Sequence, residues 1–342
     1  MTVDLLHDQI ARVIGRALLA PSIHNSQPWR FHVVEGGVEV WADRGRQLRR
    51  IDPRGRQLVV SVGAAVEFAA LALRAEGFDV DCNLLPDASE LDLIARVTAI
   101  RPQTVEATTR SLVHAMARRV TYREAFESRP VPEGVIAAIR ESAHALGCGT
   151  LQMRHEQSAE LAVLLQRAEA DELADDDYRT ELEHWRTSGA GAVDGVPDSA
   201  LSHRQMRTSR IPLRRFDTQS TQSTQSTQSV QSTQSTQSTP PDEVDDPVVL
   251  ALTTTLDQPA DWAQAGRALA RVLLTATTLG VQSSPLTQSL DDEVYRARTA
   301  ATLGALGYPQ VMLRLGYGIP SLARPTTPRR PISDVVTGSG VG

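Results

Sequence analysis

A ten-residue stretch, APSIHNSQPW at 20–29, concentrates side chains that could bind a small molecule. Pro21 and Pro28 restrict its backbone, and Trp29 could anchor it to a core. Its short polar side chains could hydrogen-bond the edge of a planar heterocycle; they are Ser22, His24, Asn25 and Gln27. The same residues also fit a plain polar turn that ends on a buried tryptophan, and the stretch alone leaves both interpretations open.

A second candidate is the basic segment Arg119-Val-Thr121-Tyr-Arg123. Two guanidiniums and a hydroxyl could clamp a phosphate, because Arg donates in a rigid fork to phosphate oxygens. All 35 residues counted as Lys plus Arg are Arg, which excludes Schiff-base, P-loop and general-base chemistry by lysine. A bound anion must therefore be held by Arg, by backbone N–H groups or by helix N-termini. Out of context, the segment is also typical of a solvated basic patch.

Hydrophobic spacing predicts the elements that would position these segments. One helix is predicted at 5–20 and stops at Pro21. Three further helices, each ending at a glycine, are predicted at 60–76, 133–146 and 262–279. RFHVV and VEVWA around Gly36-Gly37 predict a β-hairpin, and 309–316 predicts a strand. The stretch 20–29 therefore connects a helix to a strand, and the basic segment precedes the helix at 133–146.

Two of the predicted helices resemble each other. GAAVEFAALALRAEG at 63–77 and GRALARVLLTATTLG at 266–280 share both end glycines at identical spacing, and also an alanine and a leucine at matching positions. Together these matches indicate two related halves. We expect a first half at 1–115 and a second at 116–342.

A triplet repeat of the type TQS fills 218–239. A polar period of three fits neither an amphipathic helix nor a half-buried strand, and it offers no apolar surface to offset the entropy of ordering. We predict a disordered linker, with a sticky Gln-rich segment as the alternative. The repeat lies in a long non-periodic insertion at 186–247 that could cover a site.

Composition excludes several classes of protein. The chain has 342 residues with 41% hydrophobic residues and a net charge of -6, so neither wholesale disorder nor general nucleic-acid binding is expected. It lacks the roughly 20 consecutive apolar residues of a membrane span and a signal-peptide pattern. Cys82 and Cys148 are too few for a disulfide framework, which favours a cytoplasmic location. No HExxH, G-x-S-x-G or G-x-G-x-x-G pattern occurs, and no metal site is predicted.

The stretch APSxxNxQPW resembles the loop of the nitroreductase family, whose members bind FMN between two subunits. APSIHNSQPWRF is more similar still to a mycobacterial dormancy-linked subgroup in which two nitroreductase-like halves are fused. The likeness extends to 52–68 (DPRGRQLVVSVGAAVEF), 265–290 (AGRALARVLLTATTLGVQSSPLTQSL) and 307–318 (GYPQVMLRLGYG), and covers most of the chain outside about 155–245. It implies an α+β fold with a central sheet flanked by helices.

The resemblance also implies which residues would hold FMN. Arg119, Thr121 and Arg123 match a family RxSxR segment that binds the phosphate, with Thr in place of Ser. The loop would supply Ser22, His24, Asn25, Gln27 and Trp29; the segment near flavin N5 would supply Leu286, Thr287 and Gln288; and Arg329 and Arg330 would complete the phosphate site. Thr287-Gln288 stands where the family often has an acidic residue.

Each motif occurs once, one per half, so the resemblance implies one flavin per chain and either a monomeric pseudo-dimer or a homodimer. The family reaction passes a hydride from NAD(P)H through FMN N5 to nitroaromatic or quinone-like acceptors. It needs no catalytic side chain, because the flavin carries the chemistry. Two alternatives stay open: an FMN-sequestering stress protein without turnover, and an interaction protein that uses the TQS tract as a tether.

Overall fold

The computed structural model describes residues 5–187, 191–201, 211–212, 247–319 and 327–337. Its helices are α1 (His7–Ala17), α2 (Arg56–Ala75), α3 (Ala107–Met116), α4 (Glu133–His144), α5 (Ser158–Ala174), α6 (Asp176–His184), α7 (Pro259–Thr278), α8 (Gln288–Asp291) and α9 (Glu293–Leu303). The helices predicted at 5–20, 60–76, 133–146 and 262–279 correspond to α1, α2, α4 and α7. The TQS repeat lies outside the described residues, so the linker prediction is untested.

The first sheet has the strand order β11-β1-β2-β4-β3. Its strands are β1 (Trp29–Val34), β2 (Gly37–Ala42), β3 (Phe78–Leu84), β4 (Leu93–Pro102) and β11 (Val336–Thr337). The predicted hairpin is confirmed, because β1 pairs antiparallel with β2 across Gly36, whose positive φ of 72° suits glycine. The short β11 comes from the chain's end and pairs parallel with β1.

The second sheet has the order β5-β8-β10-β9 and is antiparallel throughout. Its strands are β5 (Gly149–Gln152), β8 (Val248–Thr254), β9 (Gln282–Leu286) and β10 (Tyr308–Gly316). The predicted strand at 309–316 is β10. A two-stranded pair, β6 (Arg186–Thr187) and β7 (Val196–Pro197), lies in the described part of the insertion. Helices and sheets together confirm the α+β class.

The long helices α2 and α7 pack against each other at the centre of the main core. Their contact faces are rich in alanine, which lets the two backbones approach closely. By length and composition alone, α2 could cross a membrane, but 89% of its apolar window is buried inside the protein, as in a core helix. The strands of each sheet, β11 excepted, come from one side of residue 115; the two-half division itself stays a prediction.

Candidate functional site

A cavity opens where the N-terminal half of α2 faces the C-terminal half of α7, below the loop 20–29. It holds about 960 Å³ of space between atoms, including space open to solvent, which lies within the range of small-molecule sites. The predicted site residues that line it are Ser22, His24, Arg119, Thr121, Arg123 and Thr287. Folding thus brings together predicted site residues that are up to 265 positions apart, Ser22 and Thr287.

The loop 20–29 holds an unusual backbone conformation. His24, Asn25 and Gln27 have φ values of 44°, 55° and 48°, a left-handed region that is costly for residues with a Cβ. Two hydroxyls fasten the loop: the Gln27 N–H donates to Ser22 Oγ at 2.9 Å, and the Ile23 N–H donates to Ser61 Oγ on α2 at 3.0 Å. The loop is therefore fixed against the helix whose side chains form the adjacent cavity wall.

Three guanidiniums lie near one another: Arg119 and Arg123 line the cavity, and Arg329 is close enough to repel the charge of Arg119. Burial lowers the pKa of Arg119 to about 9, and repulsion from Arg329 and Arg123 contributes; burial also lowers the pKa of Arg123 and of Arg329 to about 10. The Nε atoms of Arg119 and Arg329 are buried without a hydrogen-bond partner. Within the described ranges, no carboxylate pairs with Arg119 or with Arg329, and a buried guanidinium without a counter-charge is costly.

Elements on either side hold the basic segment in place. The Arg119 N–H donates to Ala115 O at the C-terminal end of α3, at 2.9 Å, and the Tyr122 N–H donates to Ser283 O on β9, at 2.8 Å. Arg123 Nη1 donates to Ala200 O at 3.3 Å, so the described part of the insertion contacts the cluster.

The structure turns Asn25 and Gln27 away from the cavity wall, although both were expected to meet the ligand. Gln27 Nε2 donates to Val193 O at 2.8 Å, and Gln27 Oε1 accepts from the Arg330 N–H at 2.8 Å. Asn25 likewise bonds to the insertion and to the C-terminal segment 327–330. Their direct contact with a cofactor stays a prediction, and their observed partners are protein groups.

The remaining predicted residues lie behind the wall. Trp29 is fully buried on β1, and its Nε1 has no partner among the described residues. Leu286 belongs to a second core cluster beyond β9, and Gln288 is 2% exposed at the start of α8. Arg330 directs Nη1 to Gln27 O at 3.2 Å and Nη2 to Asp334 O at 2.5 Å, so its donors serve main-chain carbonyls.

Sequence reasoning missed a large part of the wall. The additional lining residues are Pro21, Ile23, Gln57, Val60, Ser61, Leu269, Leu273, Ser283, Ser284, Pro285 and Val311. Most of the helical ones repeat the apolar spacing of an ordinary core helix, so the pattern could not mark them as site residues. All of the additional lining residues lie in the segments 20–29, 52–68, 265–290 and 307–318 that carry the family resemblance, which was the available signal.

The wall combines apolar side chains, hydroxyls and the guanidiniums of Arg119 and Arg123. This arrangement suits a flat ligand that carries a phosphate, because apolar side chains can cover its faces and guanidiniums can bind its anion. In the part of the chain that the structure describes, no group of three or more His, Cys, Asp or Glu could hold a metal ion.

Three mycobacterial relatives match nearly the whole chain. "Putative NAD(P)H nitroreductase Rv3131" from Mycobacterium tuberculosis H37Rv is 33% identical over 331 residues, 96% of this chain and 91% of the relative. "Uncharacterized protein Rv3127" from the same strain is 30% identical, covering 94% of this chain and 90% of its own. "Putative NAD(P)H nitroreductase acg" is 27% identical, covering 96% and 95%. No protein-family model matches the chain.

Solved nitroreductases are more distant. The NfnB enzyme of Mycobacterium smegmatis, solved with NADPH, is 18% identical with a TM-score of 0.41, covering 68% of this chain and all of its own. A Bacteroides fragilis nitroreductase with bound FMN is 16% identical with a TM-score of 0.38, covering 63% of this chain and 93% of its own. Alignments at such TM-scores carry no weight, and the sequence relatives decide the assignment. On their identity and coverage, the chain belongs to the nitroreductase family, together with the mycobacterial Acg-like proteins.

Proposed function

We propose that the chain binds one FMN in this cavity and transfers a hydride from NAD(P)H to nitroaromatic or quinone-like acceptors. The observation that carries the proposal is the buried cluster of Arg119, Arg123 and Arg329, which has two unpartnered guanidinium Nε atoms beside an apolar cavity. For Arg119 and Arg329, a buried charge without a counter-charge is costly unless a ligand supplies one. A flavin phosphate would supply that charge, and the attached ring system would lie against the apolar side chains of the cavity.

The cavity residues divide into those that hold the phosphate and those that surround the ring. Arg119, Thr121 and Arg123 would bind the phosphate. Val60 and Leu273, from the two long helices, would exclude water from one side of the ring. By the family resemblance, Thr287 would lie near N5, and Thr287 lines the cavity.

When bound, FMN supplies the redox chemistry, since its N5 accepts a hydride and its reduced form passes electrons to the acceptor. The chain's own residues bind and orient it. We assign no catalytic side chain. We also propose that the site belongs to two related halves, 1–115 and 116–342, because the loop comes from one and the phosphate residues from the other. The cytoplasmic location, the link to dormancy and the oligomeric state stay predictions.

The Arg119→Ala/Arg123→Ala variant tests this assignment. A charged hydrogen bond contributes about 1.5–3 kcal/mol, so losing two should weaken FMN binding at least about 100-fold. The matched control is Arg101→Ala/Arg154→Ala, which removes the same charge from exposed positions and should bind FMN normally. Flavin content after purification and titration calorimetry give the readout. Stoichiometric flavin in the Arg119→Ala/Arg123→Ala variant would disprove the phosphate assignment.

A second candidate function is FMN sequestration without turnover. It is favoured by the described insertion residues at 193–200, which bond to the loop 20–29 and to Arg123. Thr287-Gln288, in place of the acidic residue often found in the family, favours it too. Anaerobic mixing of the yellow protein with NADH or NADPH separates the two functions. Rapid bleaching supports the oxidoreductase, and a flavin that neither nicotinamide reduces supports sequestration.

A further inference from the structure

The side chain of Asn25 donates both of its amide hydrogens to carbonyl groups of the protein. Its Nδ2 donates to Gly195 O and to Pro328 O, both at 3.0 Å, and its Oδ1 accepts from Arg329 Nη1 at 2.8 Å. These partners determine the amide orientation, because a guanidinium can only donate and a carbonyl can only accept. Asn25 is 8% exposed and does not line the cavity. No amide donor is left for a heterocycle.

Arg329 is held on one side only. Its Nη1 donates to Asn25 Oδ1, to Thr327 Oγ1 at 2.7 Å and to Pro328 O at 2.9 Å. Its Nη2 has one long contact, 3.4 Å to Leu19 O, and its Nε is buried without a partner. One edge of the guanidinium is therefore anchored, and the other retains donors for a ligand.

Asn25 provides the only side chain from the loop 20–29 among the hydrogen-bond acceptors that the described structure shows for Arg329. The other acceptors are Leu19 O and groups of residues 327–328, next to Arg329 in the chain. Without Asn25, the arginine would lose its side-chain link between the C-terminal segment and the loop. Its buried charge would then be free to turn away from Arg119 and Arg123.

We propose that Asn25 is a positioning residue: it orients Arg329 toward the phosphate group of the flavin and does not contact the ring. This inference rests on the proposed function, since it concerns the same site. It replaces the expected role of Asn25 as a ring contact with an indirect role in phosphate binding. Gln27 lies in the same loop, and its side chain bonds to Arg330 and Val193. Among the described residues, it makes no hydrogen bond to Arg329.

Comparing FMN with riboflavin, which lacks the phosphate, tests the inference. In Asn25→Ala, FMN affinity should fall about tenfold or more while riboflavin affinity changes less than about twofold. Gln27→Ala is the matched control: it loses bonds to the same two neighbouring segments, and the ratio of FMN to riboflavin affinity should stay as in the wild type. An equal loss for both ligands in Asn25→Ala would overturn the inference, because a purely structural or ring-contacting residue behaves that way.

A double-mutant cycle with Arg329→Met adds a second measurement. If Asn25 acts through Arg329, Asn25→Ala should cost almost no further FMN affinity once Arg329 is methionine. Fully additive losses would contradict the inference. Should Asn25→Ala not fold, Arg329→Met alone decides, because an unchanged ratio of FMN to riboflavin affinity would remove any phosphate role for Arg329. Wild-type protein that binds neither flavin would instead reject the proposed function itself.

Discussion

Gly63 of α2 and Gly266 of α7 lie against each other where the two long helices cross. A Cβ on Gly266 would stand 2.9 Å from the Gly63 Cα and would clash with Val60 O, and a Cβ on Gly63 would clash with Ala263 O. These two glycines begin the matching segments 63–77 and 266–280. The internal repeat therefore coincides with a backbone contact that no other residue type can make.

Replacing either glycine by alanine should destabilise the protein strongly. The added methyl meets backbone atoms, which cannot move aside as a side-chain tip can, so the helices must separate; we expect a loss of about 3 kcal/mol or more. Gly134→Ala on α4 is the control, because no atom lies within 4 Å of its Cβ position, and it should be neutral or slightly stabilising. Urea unfolding measures both. Equal stability of Gly266→Ala and Gly134→Ala would contradict the close crossing.

Glu67 joins the same two helices by charge. It is fully buried on α2 and accepts from Arg267 Nε and from Arg271 Nε of α7, each at 3.1 Å. Glu67→Leu would leave two largely buried guanidiniums uncompensated and should cost about 3–5 kcal/mol. Replacing Arg267 and Arg271 by leucine as well should recover most of that loss. Persistent instability of the triple variant in urea would show that packing, and not the unpaired charge, causes the effect.

The sequence predicts the elements well where local rules apply. α1, α2, α4 and α7 lie within a few residues of their predicted bounds, because helical spacing and terminal Pro or Gly are local signals. The pairing of β11 with β1 escapes prediction, since a two-residue strand has no pattern and its partner lies 305 positions earlier, Phe31 with Val336.

For the site, the sequence predicts which types of residue are present, but it does not predict in which direction their side chains point. The motif 20–29 marks Ser22 and Asn25 equally, yet Ser22 lines the cavity and Asn25 faces the protein. The left-handed backbone at His24, Asn25 and Gln27 decides which way each side chain points, and no spacing rule predicts such a conformation outside glycine. Gln57 and Ser61 were missed because they lie on a helix whose pattern signals only a core.

The charge of Arg119 should make ligand-free stability depend on pH. Its folded pKa of about 9 lies well below the usual pKa of an arginine because the guanidinium is buried, so above about pH 9 the unfolded chain binds more protons and stability rises with pH. Below about pH 9 the cost of the buried charge is fully present. At about pH 8, the free energy of unfolding of the wild-type protein should be lower than that of Arg119→Met. This difference should shrink as the pH rises to about 11.

Urea unfolding of both proteins at several pH values measures this difference, and groups common to both cancel. Saturating FMN should abolish the dependence, because a phosphate favours the charged guanidinium. A deficit that stays constant from about pH 8 to about pH 11 would show that Arg119 keeps its usual pKa.

Replacing Ser61 should weaken binding of the flavin ring, whereas replacing Asn25 should weaken binding of the phosphate. Its Oγ accepts from the Ile23 N–H of the loop and donates to Gln57 O, at 3.0 Å and 2.7 Å. Ser61→Ala leaves the Ile23 N–H without its acceptor beside the cavity, a loss of about 1 kcal/mol or about fivefold in affinity. Because Ser61 bonds to the loop at Ile23, which lines the cavity, and not at Asn25, FMN and riboflavin should weaken by the same factor.

Ser111→Ala is the matched control for Ser61→Ala. Ser111 Oγ makes the same bond to a carbonyl four residues earlier, Ala107 O at 3.0 Å, on an exposed face of α3. It should leave both affinities unchanged in calorimetric titration. If Ser61→Ala weakened FMN but spared riboflavin, the Ile23 part of the loop would act on phosphate binding, and the assignment of this part to the flavin ring would be wrong. Equal losses of FMN and riboflavin affinity in Ser61→Ala would support that assignment. They would show that the Ser61–Ile23 contact acts on the ring, whereas the Asn25–Arg329 pair acts on the phosphate.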